Sequence, residues 1–227
     1  MTVIAIDGPA GAGKSTVARE VAARLGLARL DTGAMYRAVT LLVLHSGAEP
    51  GDEEAAASLA REMDLEVGED RVVLNGEDVT AAIRARAVDA AVSVVAAGAK
   101  VRAELVRRQR AWAAERGGGV VEGRDIGSVV FPDADVKVYL TADPFERARR
   151  RNAQVLRGGG TDVPATSGQG EPAEGSSLSA TEAQLMARDR LDLSRAASPL
   201  AVPSGAILVD STGRSIGEVV DEVMRQL

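Results

Sequence analysis

The residues best suited to chemistry form a glycine-rich stretch near the start of the sequence. It reads Gly8-Pro9-Ala10-Gly11-Ala12-Gly13-Lys14-Ser15-Thr16 and has the spacing G-x-x-x-x-G-K-S of a phosphate-binding loop. Glycines let the backbone N–H groups of such a loop point at phosphate oxygens. We expect Lys14 to reach the β- and γ-phosphates of a nucleoside triphosphate and Ser15 to ligate Mg²⁺.

The neighbouring segments predict the strand and the helix that a phosphate-binding loop requires. The apolar run Val3 to Ile6 precedes the loop, and the helical pattern Val17 to Leu25 follows it. The helix would direct the positive end of its dipole at the phosphates. A glycine-rich turn that contains a lysine by chance is the alternative, and the strand–loop–helix context argues against it.

Strand and helix patterns alternate along the rest of the chain, which predicts an α/β fold. We expect a five-stranded parallel sheet with helices on both faces. Ligands of such sheets bind at the carboxyl ends of the strands, so the residues there are the candidate site. Polar residues follow each predicted strand, at Asp7-Gly8, Asp31-Thr32, Glu122 to Asp125, Thr141 and Asp210 to Gly213.

We predict that residues 1–227 form a single P-loop domain with two additions. An antiparallel β insert falls within 64–80, around the hairpin signal Asn75-Gly76. The region 157–180 is rich in Gly, Ser, Pro and Thr, and we interpret it as a flexible lid rather than a plain linker. A long helical pattern before the third sheet strand breaks near Gly98 and ends at Gly117 to Gly119.

The composition excludes several classes of site and partner. The 227 residues include no cysteine and one histidine, so thiolate and histidine-cluster metal sites are excluded. His45 is interpreted as a helix-end residue. The net charge of −6 argues against general nucleic-acid binding. No signal peptide or membrane-spanning run is evident, and we expect a cytoplasmic monomer without membrane partners.

A P-loop protein either hydrolyses its nucleotide as a switch or transfers the phosphoryl group. A GTPase switch would need a D-x-x-G after a middle strand and an N-K-x-D for guanine. The D-x-x-G present, Asp210 to Gly213, follows the last predicted strand, and there is no N-K-x-D. Phosphoryl transfer needs charge neutralisation and an acceptor site, which the many arginines can supply.

Several segments make the chain resemble the bacterial cytidylate kinases, a family of nucleoside monophosphate kinases. They are Ile6 to Lys14, Leu30 to Arg37, Leu74 to Val79, Val101-Arg102, Arg107 to Arg110, Glu122 to Ala134, Arg188 to Arg195 and Pro199-Leu200. The resemblance implies transfer of the γ-phosphoryl group of ATP to CMP or dCMP. The region 158–179 departs from it, being longer and of lower complexity than the lid of that family.

The resemblance also implies roles for individual residues. The ATP-binding residues would be Gly8, Pro9, Ala10, Gly11, Ala12, Gly13, Lys14, Ser15 and Thr16. The CMP-binding residues would be Asp31, Thr32, Arg37, Ser93, Arg102, Arg124, Asp125, Arg188, Asp192 and Arg195. Lys14, Arg124, Arg188 and Arg195 would be catalytic, and Ser15 would ligate the metal. Of Arg147, Arg149, Arg150, Arg151 and Arg157, one or two would close onto the phosphoryl group and most others would be solvated.

Residue chemistry supports part of this assignment and leaves alternatives open. An acidic residue such as Asp125 fits the N4 amine of cytosine and repels the carbonyl of uracil. Its alternative role is an ion pair with Arg102 or Arg124. The spacing of four and then three residues places Arg188, Asp192 and Arg195 on one face of a helix. A row of ion pairs on the protein surface has the same spacing.

Two rival functions remain open from the sequence. One is a P-loop kinase for another small acceptor, such as UMP, dTMP, shikimate or a pantoate-like acid. The other is an ATP-responsive binding module that holds a partner's phosphates with its arginines, without transfer. The acidic net charge counts against the second rival.

Overall fold

The computed structural model describes residues 1–157, 178–195 and 198–227 of the chain. The predicted lid at 157–180 therefore lies almost wholly outside the described residues. The helices are α1 Lys14–Leu25, α2 Thr32–Ser46, α3 Glu53–Glu62, α4 Arg86–Val95, α5 Ala99–Glu115, α6 Pro144–Arg157, α7 Leu178–Ser194 and α8 Ile216–Met224. A 3₁₀ turn at Ala82–Arg84 precedes α4, and a π-helical turn spans Ile126–Val130.

A parallel sheet of five strands forms the centre of the molecule, as predicted. Its strands are β1 Thr2–Asp7, β2 Arg29–Asp31, β6 Gly118–Gly123, β7 Val136–Thr141 and β8 Ile207–Asp210. Their order in the sheet is β2-β6-β1-β7-β8, and every pairing is parallel. The first strand is central, so the loop that follows it emerges at the middle of the carboxyl edge.

Two apolar cores cover the two faces of this sheet. Along β1, Val3 and Ala5 pack in a core with α2 to α5, whereas Ile4 and Ile6 pack in a second core with α1 and α8. This alternation follows from the two-residue period of a strand. The prediction of helices on both faces is confirmed.

The predicted β insert forms a separate antiparallel sheet. Its strands are β3 Leu65–Val67, β4 Val72–Leu74 and β5 Glu77–Asp78. Asn75 and Gly76 have φ values of 51° and 83°, the two positive angles that a tight hairpin turn demands. Val72 and Leu74 are buried in the first core and anchor the insert to the domain.

The glycine run at 117–119 ends the helix, as predicted, but only its first residue does so. α5 stops at Glu115, Gly117 follows with a left-handed φ of 71°, and Gly118 and Gly119 already belong to β6. A Cβ at Gly118 would lie 2.0 Å from the Thr2 oxygen, and one at Gly119 would lie 2.8 Å from the Trp112 ring. Gly118 and Gly119 therefore serve close packing within the sheet, whereas Gly117 terminates the helix.

Other local predictions are confirmed. Gly98 is the N-cap of α5, and His45 lies in the last turn of α2. No helix in the part of the chain that the structure describes combines the length and the apolar character needed to cross a membrane.

Candidate active site

The loop from Gly8 to Thr16 has the backbone geometry of an anion site. Gly8, Gly11 and Gly13 have φ values of 148°, 77° and 98°, which residues with a Cβ rarely adopt. A Cβ at Gly8 would also lie 1.9 Å from the Leu140 carbonyl oxygen. No side chain caps the first turn of α1, so its N–H groups face the loop and are available to phosphate oxygens.

Lys14 is folded over this loop. Its Nζ donates a hydrogen bond to the Pro9 carbonyl oxygen at 2.8 Å, and the residue is 8% exposed. Burial, followed by the nearby Arg124 guanidinium, lowers the pKa of the Lys14 ammonium group. A buried ammonium group in such a position gains stability from an incoming anion.

Ser15 belongs to a chain of polar contacts that runs from the loop to β2. The Ser15 hydroxyl donates to Glu122 Oε2 at 2.7 Å, and Arg29 Nη1 donates to Glu122 Oε1 at 3.0 Å. Burial, and then the nearby carboxylate of Asp31, raise the pKa of Glu122. The Ser15 hydroxyl suits Mg²⁺, which takes few protein ligands beside phosphates and water, and Glu122 fixes the direction of that hydroxyl.

The described residues contain no group of three or more acidic or histidine side chains placed to hold a metal ion. Magnesium binding at Ser15 stays a prediction, and such an ion would take most of its ligands from phosphates and water.

Asp7 anchors the segment that follows β6. Its two carboxylate oxygens accept the N–H groups of Ile126 and Gly127, each at 2.7 Å. Burial raises the pKa of the Asp7 carboxyl group to about 6, although both hydrogen bonds oppose the shift. These contacts fix Arg124 and Asp125 beside the phosphate-binding loop.

Arg124 connects the loop to α7. Its Nη1 donates to the Gly8 carbonyl oxygen at 3.0 Å, and its Nε donates to Asp192 Oδ2 at 2.9 Å. The other oxygen of Asp192 accepts a hydrogen bond from Arg195, and Asp192 is 1% exposed. The Arg–Asp pattern at 188–195 is therefore a buried cluster, and the surface-ladder alternative is wrong.

Arg37 and Arg188 meet at a carboxylate that the sequence analysis had not singled out. Arg37 Nη2 donates to Asp89 Oδ1 at 2.6 Å, and Arg188 Nη1 lies 3.6 Å from the same oxygen. Burial, and then the neighbouring guanidinium groups of Arg124 and Arg37, lower the pKa of Arg188 to about 10. The fold thus brings Arg37, Arg124, Arg188 and Arg195, all predicted to bind CMP, into two carboxylate-centred groups.

Arg102, Asp125 and Ser93, three more of the residues predicted to bind CMP, are buried. Arg102 forms a buried ion pair with Asp125, and its guanidinium lies 5.4 Å from the centre of the Tyr36 ring. The ion-pair alternative for Asp125 is thus present in the structure, and its base contact stays a prediction. Ser93 lies four residues after Asp89 on α4.

A family model described as "Cytidylate kinase" matches residues 4–227 of the chain. The chain belongs to the cytidylate kinase family. A cytidylate kinase from Nocardia farcinica is 47% identical over 227 residues, which cover 98% of this chain and 92% of that protein. The resemblance inferred from the motifs is confirmed.

Some relatives in this family are longer proteins. A "Bifunctional pantoate ligase/cytidylate kinase" from Parasynechococcus marenigrum is 49% identical over 229 residues, which cover 99% of this chain and 43% of that protein. The chain therefore spans less than half the length of these bifunctional relatives. A crystal structure of an uncharacterised protein from Eubacterium ventriosum shares the fold, with a TM-score of 0.51, 10% identity and 98% of its own length covered.

Asp31 and Thr32, which were predicted to bind CMP, form hydrogen bonds within the protein. Asp31 caps α2 by accepting the Ala34 N–H at 3.1 Å, and the Thr32 hydroxyl donates to the Glu122 carbonyl oxygen at 2.7 Å. Their role in acceptor binding stays a prediction. Both contacts follow from their position between β2 and the first turn of α2.

The arginines of α6 correct another expectation. Arg149 is exposed, but Arg147 is buried, pairs with Asp189 and donates to the Ala10 carbonyl oxygen at 3.0 Å. Arg150 donates to the Ala12 carbonyl oxygen at 3.3 Å. Arg147 and Arg150 therefore support the backbone of the phosphate-binding loop, and the expectation of solvated side chains fails for Arg147.

Proposed function

We propose that the chain transfers the γ-phosphoryl group of ATP to CMP or dCMP and forms ADP with CDP or dCDP. The observation that carries this proposal is the position of Arg124. It contacts the Gly8 carbonyl of the phosphate-binding loop and Asp192 at the same time. Asp192 belongs to what we call the acceptor cluster: Asp89 and Asp192 with the arginines around them, Arg37, Arg124, Arg151, Arg188 and Arg195. A donor phosphate in the loop and an acceptor phosphate on the arginines would share one guanidinium group.

The donor half would be the segment Gly8 to Thr16. Its N–H groups and the amino end of α1 would hold the α- and β-phosphates, and Lys14 would exchange the Pro9 carbonyl for phosphate oxygens. The magnesium ion would be held by the Ser15 hydroxyl, with Glu122 fixing the direction of that hydroxyl. When bound, the ion supplies charge neutralisation on the β- and γ-phosphates.

The acceptor phosphate would be held by Arg37, Arg124, Arg188 and Arg195. Their fork geometry matches the oxygens of a phosphate in bidentate hydrogen bonds. Buried Nε atoms of Arg188 and Arg195 have no hydrogen-bond partner within the described residues, so the cluster has donors left to give. Positioning and charge stabilisation supply the rate, and an ionised acceptor phosphate needs no general base.

Cytosine would be recognised by Asp125 with help from Arg102 and Ser93. The buried Asp125 carboxylate accepts hydrogen bonds only, which suits the N4 amine of cytosine. Uracil has a carbonyl at that position, and its oxygen would face the carboxylate with no donor between them. Such a mismatch in a buried site supports strong discrimination between the two bases.

The test is a panel of acceptors at fixed ATP and Mg²⁺, with initial rates of ADP formation for CMP, dCMP, UMP, dTMP and AMP. We expect CMP and dCMP to be the fastest acceptors. Faster turnover of UMP than of CMP would overturn the cytidylate assignment. Tight ATP binding without ADP formation for any acceptor would favour the binding-module alternative. The monomeric state and the cytoplasmic location stay predictions.

A further inference from the structure

Asp89 is the meeting point of three arginines from three different helices. Its Oδ1 accepts a hydrogen bond from Arg37 of α2 at 2.6 Å and lies 3.6 Å from Arg188 of α7. Its Oδ2 accepts a hydrogen bond from Arg151 of α6. The carboxylate itself belongs to α4, so four helices converge on it.

The environment keeps this carboxylate ionised. Although burial opposes ionisation, the guanidinium groups of Arg37 and Arg151 hold the pKa of the Asp89 carboxyl group below its usual value. The side chain is 28% exposed, so solvent and small anions can approach the group. The Asp89 carboxylate thus accepts hydrogen bonds from guanidinium groups through two oxygens, as a phosphate group would.

Positive charge exceeds negative charge around Asp89. Arg37, Arg151 and Arg188 share Asp89, while Arg124 and Arg195 share Asp192. Five guanidinium groups therefore face two carboxylates, an excess of three positive charges. A phosphate dianion that entered this cluster would find both charge compensation and unused donors.

We propose that Asp89 is a built-in counter-ion that competes with the acceptor's phosphate for Arg37 and Arg188 and thereby sets the affinity for the acceptor. An entering phosphate takes hydrogen bonds from these two guanidinium groups, and Asp89 keeps its contact with Arg151. The identity of the acceptor rests on the proposed function. The competition between Asp89 and an anion does not, because it depends only on the shared guanidinium groups.

The direct test measures inorganic phosphate binding to the Asp89→Asn variant by calorimetry, with saturating ADP present to fill the phosphate-binding loop. The substitution keeps the size of the side chain and one acceptor oxygen but removes the competing charge. We expect phosphate to bind about tenfold more tightly than to the unaltered chain, because a full charge close to the ligand is lost. The KM for CMP should fall in the same proportion.

Two further variants control this experiment. Asp89→Glu keeps the charge and should leave phosphate affinity within about twofold of the unaltered chain, since the charge carries the competition. Asp221→Asn removes an equal charge from an exposed ion pair with Arg24 and should change nothing. If Asp89→Asn does not fold, Asp89→Ser repeats the test with a smaller polar side chain.

The outcomes separate the competing explanations. Unchanged or weaker phosphate binding in Asp89→Asn would overturn the proposal, because Asp89 would then order the arginines for the ligand rather than compete with it. The binding measurement requires no turnover. A chain that fails to phosphorylate CMP would therefore refute the proposed function and leave this test intact.

Discussion

In the proposed function, the phosphate-binding loop and the acceptor cluster would both hold phosphate, but with different protein groups. The loop uses backbone N–H groups and one lysine, all within nine consecutive residues from Gly8 to Thr16. The cluster uses arginine side chains that arrive from α2, α6, α7 and the segment after β6. The N–H groups of a loop are positioned once the loop has folded. Arginine side chains are flexible and also need hydrogen-bond partners that hold each guanidinium group in place.

The two halves differ in how they manage charge before a nucleotide arrives. In the loop, the Lys14 ammonium group has only a neutral carbonyl, that of Pro9, as its hydrogen-bond partner among the described residues. In the cluster, Asp89 and Asp192 already neutralise part of the guanidinium charge. We infer that the loop is tuned for affinity toward any nucleoside triphosphate, while the cluster is tuned for selection among acceptors.

The largest effect should come from the donor half. Lys14→Met should lower kcat by about a thousandfold or more, since it removes the one side-chain cation of the loop. Steady-state kinetics with ATP and CMP measure this change. Lys137→Met is the matched control, because Lys137 lies near the amino end of β7, away from the site, and should keep full activity. Comparable losses in both variants would contradict the assigned role.

A smaller but still large effect should come from the residue that joins the halves. Arg124→Lys keeps the charge but loses the fork that reaches Gly8 and Asp192 together. We expect kcat/KM for CMP to fall about a hundredfold with little change in ATP affinity. The exposed variant Arg149→Lys should behave like the unaltered chain. A loss of ATP affinity as large as the loss of kcat/KM would place Arg124 in the donor half alone.

The last effect concerns stability rather than turnover and involves Asp7, the buried acid at the end of β1 that accepts the N–H groups of Ile126 and Gly127. Its pKa in the folded chain is about 6 against an ordinary value of 3.8, so the folded state binds the proton more readily than the unfolded state. Protonation of Asp7 thus stabilises the folded state below about pH 4. This contribution is lost as the pH rises from about 4 to about 6. The change is at most about 3 kcal/mol.

Urea unfolding at several pH values, compared with Asp7→Asn, measures the Asp7 contribution. The variant cannot titrate at this position, so its free energy of unfolding should lack this loss between pH 4 and pH 6. Parallel curves for the two proteins would show that Asp7 keeps its ordinary pKa in the fold. In that case the hydrogen bonds from Ile126 and Gly127 would fully offset the cost of burying the ionised Asp7 carboxylate.

The sequence predicted the donor half well because its information is local. Strand, loop and helix are consecutive, and the spacing of the glycines is itself a motif, although the close approach of Leu140 to Gly8 could not be read from it. The five-stranded sheet was equally predictable from the alternation of patterns. The packing role of Gly118 and Gly119 was missed because its cause is remote: the backbone oxygens of Thr2 and Ala28, distant in sequence, lie where a Cβ would be.

The acceptor half was only partly predictable from the sequence. Arg37, Arg124 and Arg188 were identified through family motifs, but Asp89 sits in an ordinary amphipathic helix with no motif around it. Its partners lie 52, 62 and 99 residues away along the chain. Arg147 was misjudged for the same reason, since its burial depends on Asp189 in a different helix. Long-range ion pairs leave little trace in a local pattern.

The central claim is that the acceptor half of this site selects a cytosine nucleotide. Substitution of Asp125 tests this claim most directly. The measurement is the ratio of kcat/KM for CMP to that for UMP in the unaltered chain and in Asp125→Asn. We predict that the ratio falls by about a hundredfold, because the substituted amide no longer distinguishes a donor from an acceptor at the base edge. Equal losses for both nucleotides would contradict the claim and reduce Asp125 to the ion-pair partner of Arg102.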